Sequence, residues 1–146
     1  MNKLFTILIS VLLCSTEAFA CIEHLEVVDP WARASSHHNK NSAAYMILKN
    51  TGDKDLVITK AEAHDISDQV ELHETYLDDK GVHKMVHVDK IVIPAHSVIE
   101  LQPKHTHIMF MNLKSELKAG NSFTLKLVID EDCTKDVEVH VRELGR

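Results

Sequence analysis

The 146-residue chain has no basic run: 16 Lys and Arg stand against 22 Asp and Glu, a net charge of −6. An acidic chain without a cationic patch is a poor partner for nucleic acid. There is no G-x-S-x-G elbow and no C-x-x-C pair. Their absence removes the signatures of an α/β-hydrolase nucleophile and of thiol–disulfide exchange. His73-Glu74-Thr75-Tyr76-Leu77 begins as H-E-x-x-H would, but Leu77 stands where the second His is needed, so the metalloprotease motif fails. No enzymatic activity is expected. Nor is there a sustained 3.6-residue apolar period, a repeat, a linker or a low-complexity segment.

The one long apolar run, Leu4 to Leu13, is interrupted by Thr6 and Ser10 and is short of the roughly 20 residues a membrane span needs. Lys3 precedes it and Ala18-Phe19-Ala20 follows. That is the order of a secretory signal with an A-x-A cleavage site. Residues 1–20 are therefore expected to be a cleaved signal peptide and residues 21–146 the exported, periplasmic domain, with no membrane insertion after cleavage. The remaining 126 residues suffice for one domain with its own core. Lys3 and Glu17 cancel, so the net charge belongs to the exported part.

Cysteine is scarce: Cys14 leaves with the signal, and Cys21 and Cys133 remain. An even count in an exported chain favours one disulfide, which would restrict the unfolded chain. The alternative is a lipidated Cys21. The Ala-Phe-Ala before it lacks the upstream Leu of a lipoprotein signal.

What is present is β-pattern. Alternating or β-branched stretches run over 25–28, 45–48, 56–61, 70–77, 82–88, 98–101, 107–113, 123–129 and 137–141. Asn50-Thr51-Gly52-Asp53, Asp78-Asp79-Lys80-Gly81 and Ala119-Gly120-Asn121 break the pattern as turns. Regular short strands predict an all-β sandwich or barrel in a single domain. Trp31, the only tryptophan, reads as a buried anchor of the sandwich core. Ser35 to Ser42, with His37-His38, reads as an exposed polar loop.

Within this frame His73, Met85, His107 and Met109 are spaced His-x11-Met-x21-His-x-Met. Two imidazoles and two thioethers together make a soft, uncharged donor set that suits Cu(I). Methionine needs no deprotonation and has no thiol to be consumed in an oxidising compartment. Period-2 geometry puts His107 and Met109 on one face of a strand, about 6.6–6.8 Å apart at Cα. Ile108 and Phe110 then point into the core. His105 and Met111 share the ligand parity and stand as secondary candidates. His73 and Met85 share a face only if the hairpin loop is odd, Asp79-Lys80-Gly81 with Gly81 in the left-handed region. In that register His73 opposes His87, which becomes a reserve ligand.

These residues resemble the periplasmic copper chaperones written PCu(A)C, whose motif is H(M)x10Mx21HxM. His73, Met85 and His107-Ile108-Met109 match it at full spacing. Asp29-Pro30-Trp31-Ala32-Arg33, Ala43-Ala44-Tyr45, Asn50-Thr51-Gly52 and Glu71-Leu72-His73 also look like family blocks. Glu74 departs from the pattern at the optional Met. The resemblance implies a cupredoxin-like or immunoglobulin-like β-sandwich, a monomer, that carries one Cu(I). It implies delivery to a copper-accepting protein, typically the dinuclear centre of cytochrome c oxidase subunit II or an assembly factor. A periplasmic copper store is the alternative. A blue-copper electron carrier would need a Cys thiolate with two His and usually a Met, and Cys133 is followed by His140 but by no Met. A second, weaker Cu(II) through His83, His87 or His105 stays open.

Overall fold

A computed structural model describes residues 23–144. Residues 1–20, expected to be a signal peptide, and Cys21, with its expected pairing to Cys133, lie outside the described residues. Ten strands follow one another: β1 (Leu25–Arg33), β2 (Ser42–Asn50), β3 (Leu56–Glu62), β4 (Gln69–Leu77), β5 (His83–His87), β6 (Ile91–Ile93), β7 (Val98–Leu101), β8 (His107–Met111), β9 (Ser122–Ile129) and β10 (Cys133–Arg142). They pair continuously in the order β5-β4-β8-β2-β1-β10-β9-β3-β6, with β7 on β2. β1 and β10 run parallel; the other strand pairs are antiparallel. The fold is an all-β, cupredoxin-like sandwich.

Alternation decides which side chains meet inside. Ala44, Met46 and Leu48 of β2, Leu72 of β4, Ile108 and Phe110 of β8, Leu125, Leu127 and Ile129 of β9, and Val137, Val139 and Val141 of β10 form one buried cluster. Each fully buried aliphatic or aromatic side chain contributes roughly 1.5–3 kcal/mol. The opposite parity of β4 and β8 is thereby left on the outside, close to a sheet edge whose last strand, β5, is exposed throughout.

The turns explain the registers. Asp78 closes the β4–β5 hairpin: its Oδ1 accepts from the backbone N–H of Lys80 and of Val82, both at 2.9 Å. Gly81 has φ +73°, a region glycine enters without steric penalty. Leu77 pairs with His83, so Asp78 faces Val82 across the three-residue loop. Asn50 is buried at the end of β2 and its side chain is satisfied: Nδ2 donates to the carbonyls of Lys54 (2.8 Å) and Ile93 (3.0 Å), and Oδ1 accepts from Gly52 N–H (2.9 Å).

Two sequence expectations need correction. Trp31 is not a core anchor. The β1–β2 register shifts by one residue between Val28 and Trp31, with Asp29 at φ 50°. Both oxygens of Asp29 accept hydrogen bonds from Arg142. The extra residue hands the inward position to Ala32 and turns Trp31 outward, half-buried, with its ring 4.6 Å from Tyr45. The 107–113 stretch ends as a strand at Met111, because Asn112 adopts φ 52°. β6 also went unread. Three residues are too few to display a period.

Candidate metal centre

Three neighbouring strands, β5, β4 and β8, carry the expected donors. His73 pairs directly with His87 on one side and with His107 on the other. Met85 faces Thr75, and Met109 faces Glu71. Directly opposed residues share a face, so His73, Met85, His107 and Met109 all lie on the outer face of the sheet. Each methionine is one diagonal step from His73, about 7–8 Å at Cα. The odd-loop register that the four-residue grouping requires is the one the fold adopts.

The imidazoles are set for lone-pair donation. The His73 and His107 rings lie edge to face, 5.7 Å between centroids. His107 is only 5 % exposed, walled by Tyr45 at 6.3 Å, and Trp31 stacks behind Tyr45. Its Nδ1 donates to the carbonyl of His105 at 2.8 Å. That carbonyl is turned toward the ring by the tight Gln102–Thr106 turn, in which Lys104 has φ 67°. The single proton of neutral His107 thus sits on Nδ1, and Nε2 keeps its lone pair. Burial pushes the His107 pKa below the usual imidazole value, helped by the charges of His73 and Arg33, although the His105 carbonyl opposes the shift.

At His73 the proton sits on the other nitrogen. Nε2 donates to Glu71 Oε2 at 2.9 Å, a contact that holds the Glu71 carboxyl below its ordinary pKa. Nδ1 is buried and has no hydrogen-bond partner among the described residues. A buried polar atom left so costs about 1–3 kcal/mol, a deficit that a bound cation would remove. A carboxylate holding the far N–H of an imidazole is the usual way a metal-ligating His is oriented.

Sequence reasoning missed Glu71 as part of this arrangement. Its signal was present: parity with His73 and a place two residues before it. Met85 is 55 % exposed on the edge strand. Of the secondary candidates, His105 offers its carbonyl, and Met111 stands opposite Gln69, further along the strand. His37 and His38 are exposed, as expected of a loop; His37 is 3.1 Å from Glu116.

The family described as "Putative lipoprotein LpqE-like" matches residues 25–141. The chain belongs to this family. A relative of the LpqE-like chain, protein RP573 of Rickettsia prowazekii, is 34 % identical over 118 residues, 78 % of this chain. The chain spans 64 % of that relative's length, just under two thirds. Among solved structures, the LpqE-like chain is similar to the copper-bound PCuAC domain from PmoF2. The TM-score is 0.69 at 17 % identity, covering 83 % of this chain and 94 % of that one. It is also similar to the Cu(I) form of DR1885 from Deinococcus radiodurans, with a TM-score of 0.61 at 26 % identity, covering 88 % and 86 %.

Proposed function

We propose that this chain is an exported copper carrier that holds one Cu(I) with His73, Met85, His107 and Met109 and passes it to a copper-accepting protein. One observation carries the reading: His73 Nδ1 and His107 Nε2 are left as lone-pair donors beside two same-face methionines. The donor set is soft and neutral, which matches Cu(I). Glu71 supplies a nearby negative charge without being a ligand, and fixes the proton of His73 away from the metal side. The copper and Cu(I) named for PmoF2 and DR1885 support the cargo.

Release follows from the gradient of exposure. Met85 stands on an exposed edge strand and shares its face with the exposed Leu77. A partner docking there would displace the Met85 thioether first and the buried His107 last. The resemblance to PCu(A)C chaperones favours the dinuclear centre of cytochrome c oxidase, or an assembly factor, as recipient. A copper store is the second reading, and transfer to a purified oxidase subunit II fragment separates the two. No enzymatic step belongs to either.

Export by the 1–20 signal is part of the proposal, supported by the lipoprotein description of the family. We favour a Cys21–Cys133 disulfide over a lipid anchor, on the even cysteine count of the chain left after export. Intact mass of the exported protein decides this: a diacylglycerol increment at Cys21 refutes the crosslink. The ligand set is tested by competitive Cu(I) titration of wild type and Met109→Ala. One tight Cu(I) per chain and a marked weakening in the variant are expected. Equal affinities would remove Met109.

A further inference from the structure

The outer face holds a second group of donors that the cuprous set does not use. Glu71 Oε2 lies 2.9 Å from His73 Nε2 and 3.7 Å from His87 Nδ1. One donor atom from each of these three residues falls within 4.8 Å of the others. A tetrahedral ion with bonds of 2.0–2.2 Å spaces its donors about 3.3–3.6 Å apart. The gaps here need only small rotations, and the His87 side chain, half exposed, is free to turn. His87 Nε2 lies 3.5 Å from Asp89 Oδ1, an exposed carboxylate that adds negative charge beside the group. The set contains no sulfur. Two imidazoles and one carboxylate, with a position open to water, suit a divalent first-row cation rather than Cu(I).

We infer that Glu71, His73 and His87 form a site for a divalent cation of the Zn(II) or Cu(II) class, overlapping the cuprous site through His73. The two loadings exclude each other, and the reason is proton bookkeeping on one ring. Neutral His73 has one N–H. With the proton on Nε2 and donated to Glu71, Nδ1 is available to Cu(I). With a cation on Nε2, the proton moves to Nδ1, which is then closed to Cu(I). That N–H is buried without a partner, so the divalent loading is the weaker of the two. A carrier so built would hold a divalent ion only until Cu(I) arrived. The site itself stands on its own donors, and only the exclusion depends on the cuprous reading.

The test is Zn(II) calorimetry on the purified exported protein, its His87→Ala variant and Met109→Ala, followed by Cu(I) titration of each. Wild type should take one Zn(II) per chain and release it when one equivalent of Cu(I) binds. His87→Ala, on an exposed edge strand, should lose Zn(II) affinity by at least about tenfold with its melting profile and Cu(I) affinity unchanged. Met109→Ala should do the reverse, keeping Zn(II) and losing Cu(I). Undiminished Zn(II) binding in His87→Ala, or no stoichiometric Zn(II) in wild type, overturns the site. Zn(II) retained alongside Cu(I) overturns the exclusion, since it would require His73 to bridge both ions as an imidazolate. If Met109→Ala keeps wild-type Cu(I) affinity while His87→Ala loses Zn(II), Met109 leaves the cuprous set and the divalent site stands.

Discussion

Strands β8 and β10 have the same inner face and opposite outer ones. Inside, Ile108 and Phe110 of β8 and Val137, Val139 and Val141 of β10 are buried in the common core. Outside, β10 shows Thr134, Asp136, Glu138, His140 and Arg142, all exposed. β8 shows His107, Met109 and Met111, buried or half-buried. A solvated outer face normally takes charge, as on β10. Soft donors placed there, with His107 shielded by Tyr45, serve neither solubility nor the main core. The contrast separates residues that make the sandwich from residues that make the site.

The contrast is broken most strongly from the inside. Phe110→Ala should cost about 3–5 kcal/mol of stability, read by denaturant unfolding. Met109→Ala, one residue away on the other face, should change stability by less than about 1 kcal/mol. Equal losses would mean that the outer face is also core. On copper the order reverses. His107→Ala should lower Cu(I) affinity by more than the roughly 10–100-fold typical of a lost outer partner.

Glu71→Ala falls within that 10–100-fold range, measured by the same competition, because it frees the tautomer of His73 without removing a ligand. Gln at this position restores part of the loss, since its carbonyl also accepts the Nε2–H. Nitrogen NMR should report Nε2–H at His73 in wild type and a tautomer mixture in Glu71→Ala.

The effect of pH is smaller. Ordinary imidazoles titrate near about 6.5, and His107 is held below that by desolvation. Its folded pKa is depressed, so in the fall from pH 6.5 the unfolded chain takes the proton first. The stability of the copper-free protein is therefore full above that value and declines as pH drops toward the folded pKa. Proton competition for copper at His107 begins below the ordinary range for the same reason. An NMR titration with the His107 midpoint at or above 6.5 would contradict the burial argument. Gly81→Ala tests the hairpin itself. A Cβ there meets nothing within 4 Å, so only backbone strain of roughly 1–2 kcal/mol is felt. A much larger loss would show that the hairpin register is less secure than the Asp78 cap suggests.

Much of this was legible in the sequence, for local reasons. Period-2 alternation places Ile108 and Phe110 inward and His107 and Met109 outward without knowledge of any partner strand. The turn residues Asp78 to Gly81 allow an even or an odd loop, and only the grouping of the four donors favours the odd one, which sets His73 against His87. The reversal of Trp31 was not legible, because it depends on a bulge held by Asp29 and by Arg142, a residue 113 positions away. Glu71 was overlooked because a carboxylate among soft donors reads as solvated charge until its distance to His73 Nε2 is known. The lone pair of His107 depends likewise on a carbonyl that only the folded turn brings back.

X-ray absorption at the copper edge of the Cu(I)-loaded exported protein tests the central claim most directly. Two nitrogen and two sulfur neighbours are predicted, with one sulfur lost in Met109→Ala. A first shell of nitrogen and oxygen alone, unchanged in that variant, would contradict it.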